Sequence, residues 1–179
     1  MTEQRQESRE EEVARVRSYL ASQAVRRTPE QIVEAVREAH RQFLEATAAI
    51  PDTSFRTPPQ EGEWAAADVL WHVRTIAAID ERSIRAVVEH GEQPSGVSDM
   101  IEHAQTEATR EQMLAEIGRL REQLFASVLQ ADPEAYLDIH WGHREFGQMN
   151  WREWLLFARV HTLDHARQMQ AIATALTQL

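Results

Sequence analysis

The sequence predicts an all-α fold, a four-helix bundle with one additional helix at the N-terminal end. Glycine and proline are scarce, with six of each in 179 residues, and the chain is rich in the helix formers alanine, leucine and glutamate. Apolar residues recur at helical spacing in five stretches. The last four stretches are long, and connections of about 13–20 residues join them, as in helix bundles.

The first predicted helix, residues 3–25, is amphipathic. Charged residues cover most of its surface, and its narrow apolar stripe consists of Val13, Val16, Leu20 and Ala24. We expect residues 1–27 to be either a helix or a tail that becomes helical only when it docks. Residues 28–179 are expected to form the bundle domain.

The second helix is predicted to begin at Pro29. Thr28 is a good N-cap, proline suits the first turn of a helix, and Gln31 completes a capping box. The helix is expected to end before Pro51. Its buried face is predicted to contain Ile32, Val36, Ala39 and Phe43.

The third and fourth helices are predicted over residues 64–90 and 109–130. The segment GEQPSG ends the first of them, and a capping box of Thr109 and Gln112 begins the second. A short helical turn is expected near Asp99. The buried face of the third helix is predicted to contain Val69, Val73, Ile76, Ser83 and Val87. That of the fourth is predicted to contain Met113, Ile117, Leu120, Leu124 and Val128.

The last helix is predicted over residues 151–177. Asn150 and Glu153 provide a capping box at its start. The preceding residues 131–149 contain two glycines and one proline and are expected to be irregular. Within them, the alternation of apolar and polar residues in YLDIHW indicates a short extended segment.

Composition excludes several classes of function. The chain has no cysteine, which excludes disulfides, a cysteine nucleophile and thiolate ligands, and it has no lysine, which excludes Schiff-base chemistry. A net charge of −10 without a basic stretch argues against nucleic acid as a partner. No apolar run approaches the roughly 18–20 residues of a membrane span. Because the start MTEQRQESREEE is no secretory signal, we expect a cytoplasmic protein.

Two histidines four residues apart, His161 and His165, lie on the apolar face of the last predicted helix. The spacing alone is weak evidence for a metal site, since many chains contain such a pair. Buried polar groups must be satisfied, however, and a shared metal ion would satisfy both rings. The alternative is a helical bundle with two ordinary core histidines. HTLDH is not a zinc-protease HExxH motif, because Thr162 stands where the general-base glutamate would be.

A catalytic site needs a third protein ligand, which another helix must supply. His72 is the best candidate because Val69, Ile76 and Ile79 share its face, and His40 is second. Three neutral imidazoles suit Zn, Ni or Fe(II) without selecting among them.

Other residues are expected at the rim, on the surface or in packing roles. His140, His143 and Arg144 are expected to be exposed loop residues, with contact to an anionic substrate at the rim of the site as the alternative. His90 and His103 are expected on the surface, and Asp80 in a capping or buried-paired role. The tryptophans, which pack in cores more often than they line pockets, are Trp64, Trp71, Trp141, Trp151 and Trp154.

Two stretches resemble the DinB-like superfamily of metal-binding bundles, which includes S-transferases and isomerases that use mycothiol or bacillithiol. EWAAADVLWHV resembles the start of the family's second core helix, and FGQMNWREWLLFARVHTLDHARQ resembles its last one, including HxxxHxxQ. The resemblance covers most of residues 29–177. It implies an up-down-down-up bundle with one divalent metal ion on His72, His161 and His165. Gln168 matches the family's trailing glutamine, in a supporting role.

The resemblance therefore implies a metal-dependent enzyme that transfers a low-molecular-weight thiol to an electrophilic small molecule. Because the chain has no cysteine, the thiol would be a cosubstrate. A metal-dependent hydrolase and a non-catalytic metal-binding bundle are the alternatives, and no residue stands out as a general base. A homodimer is also expected. The reason is a second apolar stripe on the last helix, which the N-terminal helix or another subunit must cover and which consists of Leu156, Val160 and Leu163.

Overall fold

The computed structural model describes residues 8–95 and 107–177. Five α-helices, one short 3₁₀ helix (Asp52–Ser54) and one short β-hairpin account for its regular structure. The elements are α1 (Arg9–Arg26), α2 (Pro29–Ala48), α3 (Ala66–His90), α4 (Arg110–Gln130), β1 (Trp141–His143), β2 (Gly147–Met149) and α5 (Trp151–Leu176). The helical turn predicted near Asp99, His103 and the first residues of the first predicted helix lie outside the described residues. Among the described helices, none combines the length and apolar character needed to cross a membrane.

Local capping sets the starts of the helices, as the sequence predicts. Thr28, Thr109 and Asn150 each accept a hydrogen bond from a backbone N–H of the first turn, and each is the N-cap of a capping box. Ser8 forms a further box with Glu11, so α1 begins at Arg9. These bonds satisfy backbone donors that have no partner inside the helix.

The four long helices run up, down, down and up. The buried apolar residues form two clusters at opposite ends of the bundle. The first cluster combines the N-terminal ends of α2 and α5 with the C-terminal ends of α3 and α4, and the second combines the other four ends. Therefore α2 and α5 are parallel to each other, and α3 and α4 run in the opposite direction. The residues predicted for the buried faces of α2 and α4 are all buried, and all except Ala39 belong to these clusters.

The connection between α4 and α5 differs from the prediction. YLDIHW contains turns up to Asp138, and only Trp141 belongs to a strand. The strands β1 and β2 instead pair antiparallel, with Trp141 opposite Met149 and His143 opposite Gly147. Tyr136 adopts φ 59°, which interrupts an extended chain. The apolar residues Leu137 and Ile139 pack on the core from this irregular segment, which explains their alternation without a strand.

Helix α1 packs along α5 on the outside of the bundle. Leu20 is fully buried, and Arg159 of α5 donates a hydrogen bond to the Tyr19 hydroxyl at 2.9 Å. Val16 lies near Val160, and Leu156 is fully buried in the cluster that contains Leu20. The N-terminal helix thus supplies cover for part of the second apolar stripe of α5, which was one of the two predicted possibilities.

Candidate metal centre

Three histidines from two helices meet in the middle of the bundle. His161 and His165 lie one turn apart on α5, and His72 approaches them from α3. The Nε2 atom of His161 lies 2.8 Å from that of His72 and 3.1 Å from that of His165. A tetrahedral ion with metal–nitrogen bonds of about 2.0–2.1 Å separates its ligand nitrogens by about 3.3 Å. The three rings therefore have nearly the spacing that a shared metal ion requires.

Neighbouring side chains fix the rings. The Nδ1–H of His165 donates to Oε1 of Gln168 at 2.8 Å, which leaves the lone pair of its Nε2 pointing at the other two histidines. A ligating histidine usually has such a partner on its second nitrogen. Trp64 packs against His72, with ring centroids 5.3 Å apart, and Phe157 packs against His161 at 5.8 Å.

Burial keeps all three imidazoles neutral. It lowers the pKa of His72 to about 4, with a smaller contribution from His165. It also holds the pKa of His161 well below its ordinary value, and His165 and His72 add to the effect. The pKa of His165 is lowered by burial too, although its hydrogen bond to Gln168 opposes the shift. Neutral rings carry the lone pairs that a metal ion needs, so the trio is ready to bind a cation at neutral pH.

A cavity of about 380 Å³ opens beside the three histidines. Its size lies in the range of small-molecule sites. Four elements form its walls, namely α1, α3, the β-hairpin and α5. A ligand in this cavity would reach the Nε2 cluster directly, because His72, His161 and His165 all line it.

A buried ion pair borders the same cavity. Arg121 of α4 donates to Oδ2 of Asp80 of α3 at 3.0 Å, and each residue is 3% exposed. Burial raises the pKa of Asp80, and the charge and hydrogen bond of Arg121 oppose that rise. The buried-paired role expected for Asp80 is thus its role in the structure. Arg121 was not predicted, although it follows Ile117 by one helical turn and so lies in the apolar stripe of α4.

Aromatic residues of the hairpin and of α5 form one wall of the cavity. Phe157 contacts the rings of His143, Phe146 and Trp154 at centroid distances of 4.8, 5.3 and 5.8 Å. The Nδ1 atom of His143 accepts hydrogen bonds from the backbone N–H groups of Glu145 and Phe146. A place at the rim was the alternative prediction for His143, whereas Phe146 and Phe157 were not predicted to line the site. A helical wheel alone does not show which side of α5 a hairpin will cover.

The other predicted site residues lie elsewhere. His40 points into the bundle from α2 but is not part of the cluster, and burial lowers its pKa to about 4. His140 and Arg144 are exposed and do not line the cavity, which agrees with the favoured expectation of exposed loop residues and not with the alternative of a place at the rim. His90 is exposed, as expected.

The tryptophans divide between core and cavity. Trp141 and Trp151 are buried in the core, and Trp154 is buried but also lines the cavity. Trp71 packs on the second apolar cluster, and Trp64 packs both on that cluster and against His72.

Comparisons with known proteins agree with this architecture. The family model of the DinB superfamily matches residues 35–169. The crystal structure of TT2238, a four-helix bundle protein, superposes with a TM-score of 0.62 at 22% sequence identity, and the match covers 80% of this chain and 99% of that chain. No curated protein matches the chain.

Proposed function

Because the chain belongs to the DinB superfamily, we propose that it is a metal-dependent enzyme that transfers a low-molecular-weight thiol to an electrophilic small molecule. One observation carries the proposal. Three histidine Nε2 atoms, all within 4.8 Å of one another, meet on the wall of a cavity of small-molecule size.

His72, His161 and His165 would hold one divalent ion, for which Zn, Ni and Fe(II) are all suitable. Three protein ligands leave a coordination position for a substrate, and a divalent ion there supplies a nucleophile by lowering the pKa of a bound thiol or water. Gln168 keeps His165 in the tautomer that can ligate.

The protein's own residues would hold and shield the reactants. The chain contains no cysteine, so the thiol must come from a cosubstrate. The aromatic wall of Phe146, Trp154 and Phe157 excludes water around the electrophile and limits competing hydrolysis. The Asp80–Arg121 pair sets a fixed dipole at the cavity wall.

Metal-dependent hydrolysis is the second candidate. It is favoured by the carboxylate of Asp80, which lines the cavity and could accept a proton from an attacking water. Its pairing with Arg121 makes it a poor base although burial raises its pKa, since a proton on Asp80 would leave the buried guanidinium of Arg121 without its counter-charge. For this reason we favour thiol transfer.

Direct observation of thiol binding tests the proposal. The protein loaded with Co(II) should develop a thiolate-to-metal absorption band when a low-molecular-weight thiol is added, and should form a conjugate with an added electrophile. His161→Ala should abolish both signals, and His90→Ala, which changes an exposed histidine, should leave both intact. Stoichiometric metal binding without any thiol band would identify a non-catalytic metal-binding bundle. Ester or amide cleavage without a thiol requirement would identify a hydrolase.

A further inference from the structure

The cavity beside the three histidines has a wall that lies outside the region matched by the family model. That region begins at residue 35, whereas Arg9, Glu12, Arg15 and Val16 of α1 line the cavity. Helix α1 therefore helps to shape the space that a substrate must enter. Its contribution cannot be deduced from membership of the family.

Helix α1 is anchored firmly enough to act as a fixed wall. Leu20 is fully buried in the core. Arg17 pairs with Glu153 of α5 at 3.2 Å, and Glu153 is itself buried. At its N-terminal end, Arg9 forms an ion pair with Glu145 of the β-hairpin. These contacts hold both ends of the helical segment that faces the cavity.

Aromatic rings and aliphatic side chains form part of the cavity lining. Phe157 continues the aromatic wall to His161, with ring centroids 5.8 Å apart. The lining also includes Val16 of α1 and the aliphatic residues Ile76 and Ile79 of α3. A flat ring placed here can stack on aromatic faces and exchange water for apolar contacts.

The charges that line the cavity are balanced. Three arginines and three carboxylates occupy its α1, hairpin and α5 edges, namely Arg9, Arg15, Arg167, Glu12, Glu145 and Asp164. Arg9 is paired with both Glu12 and Glu145. Deeper in the wall, Asp80 is paired with Arg121. Without a metal ion, the side chains of the cavity therefore offer no excess of either charge to select an ionic substrate.

We propose that the electrophilic substrate is a small, uncharged compound with an aromatic ring, which stacks against the Phe146–Phe157 wall, and that Val16 of α1 limits its size. This inference rests on the proposed function only where it describes the substrate as electrophilic. The binding of an uncharged aromatic ring requires neither a metal ion nor a reaction.

Unreactive probes test the inference separately from the catalytic proposal. The probes are benzyl alcohol, the larger 1-naphthalenemethanol, the non-aromatic cyclohexylmethanol and the charged benzoate. Calorimetry or saturation-transfer NMR on the full-length protein, as purified and after chelator treatment, gives their dissociation constants. Benzyl alcohol should bind in both preparations and more tightly than cyclohexylmethanol, by roughly two- to tenfold for the stacking contribution. After chelator treatment, benzoate should bind more weakly than benzyl alcohol, because no metal ion is then present to attract its carboxylate.

Two variants of Val16 test the wall. Val16→Trp should fill the cavity and weaken benzyl alcohol binding at least tenfold, whereas Val25→Trp, at an 84% exposed position on the same helix, should not change it. Val16→Ala should enlarge the cavity and tighten binding of 1-naphthalenemethanol relative to benzyl alcohol. Circular dichroism checks that each variant is folded. If Val16→Trp does not fold, the Val16→Ala comparison tests whether Val16 limits the size of the ligand.

Three results would overturn the inference. The first is benzyl alcohol binding to folded Val16→Trp with the wild-type affinity. The second is benzoate or cyclohexylmethanol binding to the chelator-treated protein at least as tightly as benzyl alcohol. The third is a failure of every aromatic probe to bind either preparation. Since no probe reacts, none of these results would bear on whether the protein transfers thiols.

Discussion

At the residue scale, the middle of the bundle contains buried polar side chains that are either paired with each other or electrically neutral. His40, Asp80, Arg121 and His161 all lie at the level where the two apolar clusters separate. Each would be costly in an apolar core unless it were paired, neutral or ligated. Asp80 and Arg121 pair with each other, and the histidines stay neutral.

Gln168 should matter to metal affinity without touching the metal. Replacing Gln168 by Leu removes the acceptor for His165 Nδ1–H, so the ring loses its orientation and part of its basicity. We expect the dissociation constant for Zn(II) to rise roughly 10- to 100-fold. Competition with a chromogenic chelator measures it, with Gln170→Leu as a control because Gln170 is exposed on the same helix. Equal Zn(II) affinity in both variants would show that Gln168 does not support the metal site.

His40 should make the protein less stable in mild acid. Its pKa in the folded state is about 4, against about 6.5 when unfolded, so between these values only the unfolded chain binds the proton. Its stabilising contribution is complete above pH 6.5 and is lost as pH falls towards 4, by at most about 3 kcal/mol. His40→Leu should reduce the loss of unfolding free energy between pH 7 and 4.5, measured by urea denaturation. An unchanged pH dependence in this variant, matching a His90→Leu control, would contradict the assignment.

At the scale of the elements, caps define where the helices begin, and long-range contacts determine how the helices pack against one another. The capping box of Asn150 and Glu153 starts α5 so that its buried face carries His161 and His165. Glu153 also binds Arg17, which links the start of α5 to α1. One side chain thus contributes to a local cap and to the docking of another helix.

Leu20 should decide whether α1 stays docked. The side chain is fully buried in the first apolar cluster, so Leu20→Ala leaves a cavity and should cost about 2–5 kcal/mol. Because α1 is peripheral, part of this loss should appear as faster proteolytic cleavage within residues 9–26 before global unfolding. Limited proteolysis and urea denaturation measure both effects. Val25→Ala is the matched control, since Val25 is exposed, and cleavage at the same rate in both variants would show that Leu20 does not anchor the helix.

At the scale of the whole molecule, the bundle has two apolar cores with a polar layer between them. Each core combines residues from all four long helices, so each holds the bundle together at its own end. The candidate metal centre lies between these two regions of packing. The fold therefore has no need of a metal ion for its main burial of apolar surface.

Chelation should consequently remove a metal ion without unfolding the protein. After treatment at pH 7, the far-UV circular dichroism of the helices should persist, because the two apolar cores remain. The melting temperature should fall, since a ligand that binds only the native state stabilises it by mass action. Collapse of the helical signal would instead identify a structural metal and would argue against a position open to substrates.

The homodimer remains a prediction. Helix α1 covers Leu156, but Val160 and Leu163 stay partly exposed on α5, next to α1. If a second copy covers them, light scattering at tens of micromolar should give twice the mass of one chain, and Leu163→Glu should restore the mass of one chain. A wild-type protein that is monomeric at this concentration would show that α1 alone provides sufficient cover.

The sequence by itself determined the features that depend on neighbours within a few residues. Helix starts follow from caps and capping boxes, and buried faces follow from a repeat of 3.6 residues, because both arise between positions three or four apart. The position of His161 and His165 on one face of a helix follows from their spacing of four residues. The prediction of His72 as the third ligand also rested on its local sequence, with support from the family resemblance.

Only the tertiary structure decided how distant residues meet. The Asp80–Arg121 pair, the aromatic wall completed by the hairpin, and Val16 of α1 at the cavity all join segments that lie far apart in the chain. Periodicity shows which face of a helix is buried but not which neighbour covers it, since any apolar partner satisfies the same pattern. The prediction of a short extended segment in YLDIHW was wrong for a related reason. Apolar residues that pack on the core from an irregular segment can alternate with polar ones just as they do in a strand.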